Sequence, residues 1–419
     1  MRIHLLAGGS RGDIQPLVAL AIGLKNAGYD VRFWAHPVFA ELVSSCNLNF
    51  CALGRSSPQA TIEHEFRRRP RTPLGKLSRI ISRPAPAMED LISLERAVAG
   101  ADALVFNTIM ANCTHIVEKA NIPCVAVHYQ PYWRTRYLPH PLFPVKRSMG
   151  GALNLLTHAF FNQLSWQADR KWINQWRRDH LKLPNLGLIG GHSKNLYKRR
   201  IPQIFAFSPT LIQRFSDWPE WFHVPGFFFL DLETNWAPPE SLVSFLSTGP
   251  PPIAVGFGSI VDPDLPRLFR LLMDLFNERG WRGIFLGGWT DVDLRTSDNI
   301  YVLSEAPHDW LFRRVAASVQ AGGAGTVAAA LRAGAPPVLI PLHSDQRFWA
   351  DRLYRLGLSP PPVGPENRNR ETLSSAIEAV LSDKAIRERV RKVSEVIERE
   401  QGVQTAVDVI TSYLKQGTP

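Results

Sequence analysis

The stretch RRVAASVQAGGAGTVAAALRAGAPPVLIPLHSDQRFW, residues 313–349, decides the fold that we expect for this chain. An apolar run at 315–319 has the length and composition of a strand, and three glycines and a helix-forming segment that includes Thr326 follow it. Gly334 stands where a helix C-cap belongs, and residues 335–341 form a second buried apolar run. The order of strand, glycine turn, helix and strand predicts a βαβ unit with parallel strands.

The glycine turn of this unit is predicted to bind an anion. Glycines allow backbone N–H groups to approach a phosphate closely, and the start of a helix adds unpaired donors and a partial positive charge. Thr326 is placed to cap the helix and to donate to a phosphate oxygen. Asp345 and Gln346 follow the second strand, at the end of a parallel sheet where such folds bind ligands. A carboxylate beside an amide offers sugar hydroxyls both acceptors and donors. The three glycines are Gly322, Gly323 and Gly325.

A second βαβ pattern opens the chain. Residues 3–7 and 31–35 are strand-like, and a glycine turn and a helical apolar repeat separate them. The glycines at positions 8, 9 and 12 do not form G-x-G-x-x-G, and no acidic residue follows the second strand, so we do not expect a nicotinamide or flavin enzyme. The turn carries Asp13, whose carboxylate either complements the helix dipole or acts chemically.

Two segments carry a family resemblance. GGAGTVAAALRAGAPPVLIP followed by SDQRFW, and GGSRGDIQPLVAL at residues 8–20, resemble the inverting nucleotide-sugar glycosyltransferases. The resemblance is to the branch that contains the bacterial antibiotic glycosyltransferases and the sterol 3-beta-glucosyltransferases. It implies an α/β protein with the GT-B fold, in which two Rossmann-like βαβ domains face each other across a cleft.

The same resemblance implies roles for individual residues. Asp13 takes the place of the general base that deprotonates the acceptor hydroxyl, and Asp345 and Gln346 contact the donor sugar. The implied diphosphate contacts are Ser259, Gly322, Gly323, Gly325 and Thr326. Weaker candidates for contacts with the donor are Ser10, Arg11 and Trp289; the indole of Trp289 either stacks on the nucleobase or anchors its loop. The resemblance implies that the diphosphate is held by these groups instead of a metal ion, so neither a metal ion nor another cofactor is expected.

One departure concerns the diphosphate loop. The family usually has His-His before the glycines, whereas this chain has Gln320 and Ala321. The loss of one hydrogen bond to a charged group costs roughly 1.5 to 3 kcal/mol. Three interpretations remain open: the other donors suffice, the donor is handled differently, or catalysis is impaired and the protein is a binding or helper subunit.

The predicted acceptor is lipophilic, such as a sterol, terpenoid or polyketide aglycone. Residues 129–176 are rich in aromatic side chains, and Trp133 and Phe143 lie in a proline-broken loop where core partners are fewer. His128, at a strand end, either assists the base or is a satisfied structural histidine. Other aromatics in this region have helical spacing and are predicted to be core, namely Phe161, Trp166, Trp172 and Trp176.

We expect four segments along the chain. Residues 1–230 form an acceptor-binding domain that ends on a strand at 205–209, and 231–252 are a proline-rich linker. Residues 253–400 form the nucleotide-sugar domain, and a helix at 401–419 crosses back to the first domain. The charged, helical sequence at 378–413 predicts a terminal helix pair.

Charge and composition narrow the partners. The 419 residues carry a net charge of +11, which suits a phosphate-bearing ligand, an anionic membrane or nucleic acid. No nucleic-acid motif occurs, so nucleic acid is not expected. The basic residues 67–71 lie in a surface excursion at 55–87 that is either a solvated charge run or a transient contact with a membrane surface.

Cysteine usage and the absence of targeting signals point to a cytoplasmic protein. Four cysteines occur without a C-x-x-C pair, and no apolar run of about 18 residues exists that would span a bilayer. The donor is expected to resemble UDP-glucose. Its nucleobase and sugar, the acceptor and the oligomeric state stay open.

Overall fold

The computed structural model describes residues 1–54, 85–145, 147–189, 191–231, 236–258, 262, 264–287, 296–342 and 344–416. The chain divides into two compact units. Unit 1 consists of Met1–Pro209, Gln213–Phe228 and Gln401–Pro419. Unit 2 consists of Thr210–Ile212 and Phe229–Glu400.

Unit 1 is built on a seven-stranded parallel sheet with the order β3-β2-β1-β4-β5-β6-β7. The order changes direction between β1 and β4, so the loops after these two strands lie at a topological switch point, where open α/β sheets bind ligands. The strands are β1 (Arg2–Leu6), β2 (Asp30–Ala35), β3 (Asn49–Ala52), β4 (Ala103–Asn107), β5 (Cys124–His128), β6 (Gln203–Phe205) and β7 (Phe222–His223).

The helices of unit 1 cover both faces of this sheet, as the all-parallel strand order requires. Numbered along the whole chain, they are α1 (Arg11–Asn26), α2 (Ala40–Ser45), α3 (Met88–Val98), α4 (Cys113–Ala120), α5 (Gly151–Trp176), α6 (Gly191–Lys198) and the last helix, α14 (Gly402–Lys415). Shorter 3₁₀ turns lie at Pro37–Phe39 and Thr108–Met110, and a π turn, Arg177–Leu181, extends α5.

The core of unit 1 follows from its uninterrupted apolar strands. Every residue of β4 and β5 is buried, which is the pattern of central strands with a helix on each face. Helix α14 packs on α1 at Gly23, where an added Cβ would lie 2.8 Å from Val403 Cγ1. The hydroxyl of Tyr29, shortly after α1, donates a hydrogen bond of 3.1 Å to Thr411 Oγ1 of α14. The last helix is therefore part of unit 1.

Unit 2 has a five-stranded parallel sheet with the order β10-β9-β8-β11-β12. Its strands are β8 (Ile253–Gly256), β9 (Gly283–Leu286), β10 (Ile300–Leu303), β11 (Ala317–Gln320) and β12 (Pro337–Leu339). Its helices are α7 (Glu240–Ser247), α8 (Leu265–Arg279), α9 (His308–Leu311), α10 (Ala324–Arg332), α11 (Ser344–Arg355), α12 (Arg370–Ser382) and α13 (Lys384–Arg399), with 3₁₀ turns at Phe312–Arg314 and Pro365–Asn367.

Alternate side chains of the unit 2 strands pack into two hydrophobic cores, one on each face of the sheet. On β11, Ala317 and Val319 belong to the apolar cluster beneath α8 and α12. On β8, Ala254 packs on the opposite face with Leu242 of α7 and Trp310 of α9. The segment 236–247, which the sequence assigns to a linker, thus contributes buried side chains to unit 2.

Two predicted elements differ from the structure. The last strand of unit 1 is not 205–209: β6 ends at Phe205 and β7 follows at residues 222–223. The apolar run after Phe205 is buried without pairing as a strand. The terminal helix pair is instead three helices, because Asp383 ends α12 and caps α13 by accepting from Ala385 N at 2.7 Å.

No helix in the described ranges combines enough length with enough apolar character to cross a bilayer.

Candidate functional site

Asp13 is held in place by the turn that precedes it. It is the third residue of α1, and its Oδ2 accepts hydrogen bonds from Ser10 N at 2.8 Å and Ser10 Oγ at 2.9 Å. The bond from Ser10 N is one half of a capping box, and together with the bond from the hydroxyl it fixes the carboxylate over the first turn of the helix. Ser10 therefore positions the proposed base, and the neighbouring Arg11 is exposed.

The backbone before Asp13 is shaped by two glycines. Gly9 has φ +105, and a Cβ there would collide with the Asp13 carboxylate. Gly8 is clamped by Asn107 at the end of β4, which donates to Gly8 O at 2.7 Å and accepts from Gly8 N at 3.3 Å. The clamp ties the β1–α1 turn to the neighbouring strand across the switch point.

Tyr129 supports the other side of the turn. It directly follows β5, and its hydroxyl donates to the main-chain oxygen of Asp13 at 2.7 Å. Burial and the nearby Asp13 charge raise the pKa of Tyr129 well above its usual value, so the phenol stays protonated and keeps donating. The resemblance assigned no role to Asn107 or Tyr129. Only their place at the ends of adjacent strands could have indicated one.

His128 is a satisfied structural histidine. It is 5% exposed, and its Nε2 lies 2.7 Å from Gln203 Oε1 while its Nδ1 lies 2.8 Å from Thr108 Oγ1. Gln203 also accepts from Trp133 Nε1 at 2.9 Å. Burial lowers the pKa of His128 to about 4, which keeps the ring neutral near pH 7. Of the two interpretations left open by the sequence, this geometry favours the structural one.

The pKa of His128 predicts a dependence of stability on pH. Because its folded pKa of about 4 lies below the ordinary value of 6.5, the unfolded chain binds more protons between these pH values. Stability contributed by the neutral ring is complete above pH 6.5 and falls by about 3 kcal/mol as the pH drops to 4. Denaturant titrations at pH 7.5 and 4.5 check this. His128→Asn should be less stable than wild type at pH 7.5 but lose less stability on acidification, and an equal loss in both proteins would contradict the expectation.

Trp133 and Phe143 differ in how they are held. Trp133 is half-buried, its ring packs edge-on against Phe222 at 5.0 Å, and its N–H is used by Gln203. Trp133 thus has more core partners than its loop position predicts, because it packs against the core of unit 1, and its role at the acceptor stays a prediction. Phe143 is also half-buried and meets Phe161 edge-on at 6.5 Å.

The aromatics predicted to be core lie along α5. Trp166 and Trp176 are 5% and 2% exposed. Trp172 packs against the core of unit 1 from a half-buried position. Phe161 is half-buried as well and stacks on His140 with the ring centres 4.7 Å apart.

In unit 2, the glycine turn after β11 leads straight into α10. Gly322 has φ +91, and a Cβ there would be in contact with Gln346 O and Leu339, both at 3.4 Å. At Gly323 and Gly325 an added Cβ would meet nothing within 4 Å. A side chain at Gly322 is therefore disfavoured by its φ, whereas the other two glycines border open space.

The N-terminus of α10 has no side-chain cap. Its N-cap is Gly323, so Thr326 occupies the third helical position and the predicted capping role of Thr326 is wrong. The glycine starts the helix one turn earlier than the sequence suggests. Because the N-cap residue is a glycine, it has no side chain that could accept from the first N–H groups of this nine-residue helix. These backbone donors therefore lie beside the positive end of the helix dipole without a side-chain cap.

Gln346 lies against the glycine turn. It is 5% exposed, its main-chain oxygen would lie 3.4 Å from a Cβ added at Gly322, and its Oε1 accepts from Leu342 N at 2.9 Å. Gln320 is 2% exposed and donates to Ser318 Oγ at 3.1 Å. Ala321 is 4% exposed and packs in the apolar cluster beneath α8 and α12. The methyl group that replaces the family's usual imidazole is thus core.

Several predicted residues lie outside what the structure describes. Ser259, Trp289 and the basic residues 67–71 fall outside the described residues, and the side chain of Asp345 is outside them too. Among the described residues, no three His, Cys, Asp or Glu side chains come together in a way that could hold a metal ion.

Two family models match the chain. Residues 3–139 match the glycosyltransferase family 28 N-terminal domain, and residues 292–405 match the erythromycin biosynthesis protein CIII-like, C-terminal domain. The first match contains the β1–α1 turn with Asp13. The second contains the β11–α10 turn and Gln346.

Solved structures with the same fold include the calicheamicin glycosyltransferase CalG4, with a TM-score of 0.70 and 18% identity over 100% of this chain and 99% of that one. The glycosyltransferase VinC, solved in complex with DTDP, matches with a TM-score of 0.65 and 16% identity over 100% of both chains. Together with the two parallel-sheet units, these neighbours confirm the predicted GT-B fold class.

Two of the sequence relatives come from Arabidopsis thaliana. The sterol 3-beta-glucosyltransferase UGT80A2 is 31% identical over 99% of this chain, which spans 66% of that protein. The sterol 3-beta-glucosyltransferase UGT80B1 is 30% identical over 100% of this chain, which spans 69% of that protein. The chain therefore covers about two thirds of the length of these relatives. By this identity and extent of match, it belongs to the glycosyltransferase family of the sterol 3-beta-glucosyltransferases.

Proposed function

We propose that the protein transfers a hexose from a nucleoside diphosphate sugar, with UDP-glucose as the first donor to test, to a hydroxyl group of a lipophilic acceptor, with inversion at the anomeric carbon. The uncapped N-terminus of α10, preceded by Gly322 and bordered by the open space at Gly323 and Gly325, is the observation that carries this proposal. Backbone donors at a helix start suit a diphosphate. The plant relatives, which are named as sterol 3-beta-glucosyltransferases, support a sterol-like acceptor.

Asp13 supplies the base in this proposal. Its carboxylate accepts the proton of the acceptor hydroxyl while the oxygen attacks the anomeric carbon, and the bond between that carbon and the diphosphate oxygen breaks. The two hydrogen bonds from Ser10 orient the carboxylate. A single displacement of this kind inverts the configuration of the sugar.

The leaving diphosphate acquires negative charge as the bond breaks. Donors that are already oriented at the start of α10 stabilise this charge without reorganisation. The implied contacts are Gly322, Gly323, Gly325 and Thr326, and Ser259 is assigned on the resemblance alone. We propose that these groups act without a metal ion, and that Asp345 and Gln346 bind the sugar.

Transfer assays with a panel of sugar nucleotides and lipophilic alcohols, read by mass spectrometry, test the proposal. We expect a sterol hexoside to form from UDP-glucose at the same rate with and without EDTA. Loss of activity in EDTA that Mg²⁺ restores would contradict the metal-independent step. If no donor yields a product although nucleotide binding is measurable, the impaired-subunit alternative suggested by Ala321 would replace the enzyme proposal.

A further inference from the structure

The first half of α5 has its polarity reversed. Its inward side is polar: Asn154 and His158 are fully buried, and Thr157 is 6% exposed. These side chains bind the backbone of the preceding loop. Asn154 Nδ2 donates to Arg136 O at 2.8 Å, and Thr157 Oγ1 accepts from His140 N at 2.8 Å. The inward face is therefore used to satisfy loop amides and carbonyls.

The outward side of the same turns is apolar. Leu153, Leu156 and Phe160 are 54%, 63% and 49% exposed. Their spacing of three and four residues places them on one stripe of the helix. Large apolar side chains that are exposed singly need no explanation, but an aligned set indicates a contact surface.

A second segment extends this stripe. Residues 183–189 run along the later turns of α5, where helix side chains bind their backbone. Gln163 and Gln167 both donate to Leu188 O, at 2.9 and 2.7 Å, and Trp166 Nε1 donates to Gly187 O at 3.0 Å. The segment is thus fixed with Leu188 60% and Ile189 73% exposed. The apolar face consists of Leu153, Leu156, Phe160, Leu188 and Ile189.

Charged residues flank the apolar face along the sequence but are absent from the two segments that form it. Neither residues 151–167 nor residues 183–189 contain Asp, Glu, Lys or Arg. Across 134–182 the sequence has nine Lys and Arg against two Asp. Exposed cations stand on both sides, Arg136 and Arg147 before the helix and Lys171 and Lys182 after its apolar part. An apolar strip between basic groups has the composition of a helix that lies in a membrane interface.

We propose that the apolar face rests on a bilayer that contains anionic lipids. The basic groups pair with lipid headgroups, and the five apolar side chains enter the boundary between headgroups and acyl chains. A second copy of this chain fits less well, because a two-fold contact through the face would bring the same positive charges together. If the function is the one proposed above, on which this part of the inference rests, membrane contact also gives the enzyme access to an acceptor that is dissolved in the bilayer.

Vesicle flotation tests this inference without donor or acceptor. The double variant Leu156→Asp, Phe160→Asp should bind vesicles of equal parts phosphatidylcholine and phosphatidylserine about tenfold or more weakly than wild type. The matched control, Val243→Asp with Val396→Asp, makes the same charge change at unit 2 residues that are 48% and 46% exposed, and it should float as wild type does. Wild type should bind vesicles of phosphatidylcholine alone more weakly.

A second variant keeps the test valid if the first misfolds. Arg147→Glu with Lys182→Glu leaves the apolar face intact and should weaken binding to the anionic vesicles only. The inference would be overturned if the Leu156→Asp, Phe160→Asp variant and the Arg147→Glu, Lys182→Glu variant both floated as wild type does. A concentration-dependent dimer that only the Leu156→Asp, Phe160→Asp variant abolishes would also overturn it. The same holds if this variant loses transfer to a detergent-dispersed acceptor while its flotation is unchanged. Absence of any transfer, with flotation as expected, would remove the proposed function and leave this surface assigned.

Discussion

Replacement of Asp13 by asparagine is expected to lower kcat for glycosyl transfer by roughly 10²- to 10⁴-fold, the usual contribution of a general base. The amide has nearly the same size and can still accept from Ser10 N and Oγ, whose hydrogen bonds to the carboxylate are 2.8 and 2.9 Å long. It cannot take up a proton from the acceptor. Steady-state rates and calorimetric titration with UDP measure the effect, and the Kd of UDP should not change.

Ser10→Ala is the matched control for this variant. It removes the hydroxyl donor 2.9 Å from the carboxylate but keeps the base. The loss of one hydrogen bond to a charged group, roughly 1.5 to 3 kcal/mol, corresponds to a decrease in kcat of about ten- to a hundredfold at most. An Asp13→Asn enzyme that turned over as fast as Ser10→Ala would mean that another group removes the proton.

Gly325→Asp is expected to separate donor affinity from stability. The added Cβ meets nothing within 4 Å, and a carboxylate in the first turn of α10 favours the helix by roughly 0.3 to 1 kcal/mol. The same charge repels a diphosphate bound at the helix start. At about 5 Å and an effective dielectric constant of about 20, repulsion between unit charges is roughly 3 kcal/mol, so the affinity for UDP should fall about a hundredfold.

Gly325→Asn controls for the size of the new side chain in this experiment. It should retain much more affinity for UDP than the aspartate variant, with a similar Tm in the absence of nucleotide. Calorimetry with UDP and thermal unfolding of the free proteins give both quantities. Equal Kd values for the two variants would show that no phosphate lies near the start of α10.

Both glycine turns could be predicted from the sequence because their signals are local. An apolar run, a cluster of glycines and a helical repeat occupy consecutive residues around Gly8 and around Gly322. The strands predicted at 3–7 and 31–35 lie within one residue of the bounds that the structure shows. Such consecutive signals are why both turns could be located before the structure was known.

Contacts between distant segments account for most of what the sequence did not predict. The carbonyl and amide of Asn107 clamp a residue 99 positions away, and Gln203 fixes His128 from 75 positions away. No periodicity marks such pairs. The position of the N-cap at Gly323 also escaped prediction, because glycine permits several helix starts and threonine is the more usual cap.

Helix α5 shows a further limit of hydrophobic periodicity. An apolar stripe at Leu153, Leu156 and Phe160 normally predicts a buried face. Here the neighbouring polar stripe is buried instead, because Asn154 and Thr157 bind the backbone of the preceding loop. The loop's backbone groups need these polar partners, and this need is not visible in the pattern of the helix.

The anomeric configuration of the product tests most directly the central claim, direct displacement of a nucleoside diphosphate by an acceptor oxygen. UDP-glucose carries an α-linked glucose, so one displacement assisted by Asp13 must yield a β-glucoside. A proton NMR spectrum of the purified sterol glucoside should show the large coupling between the anomeric proton and its neighbour that a β linkage produces. The small coupling of an α-glucoside would contradict the account.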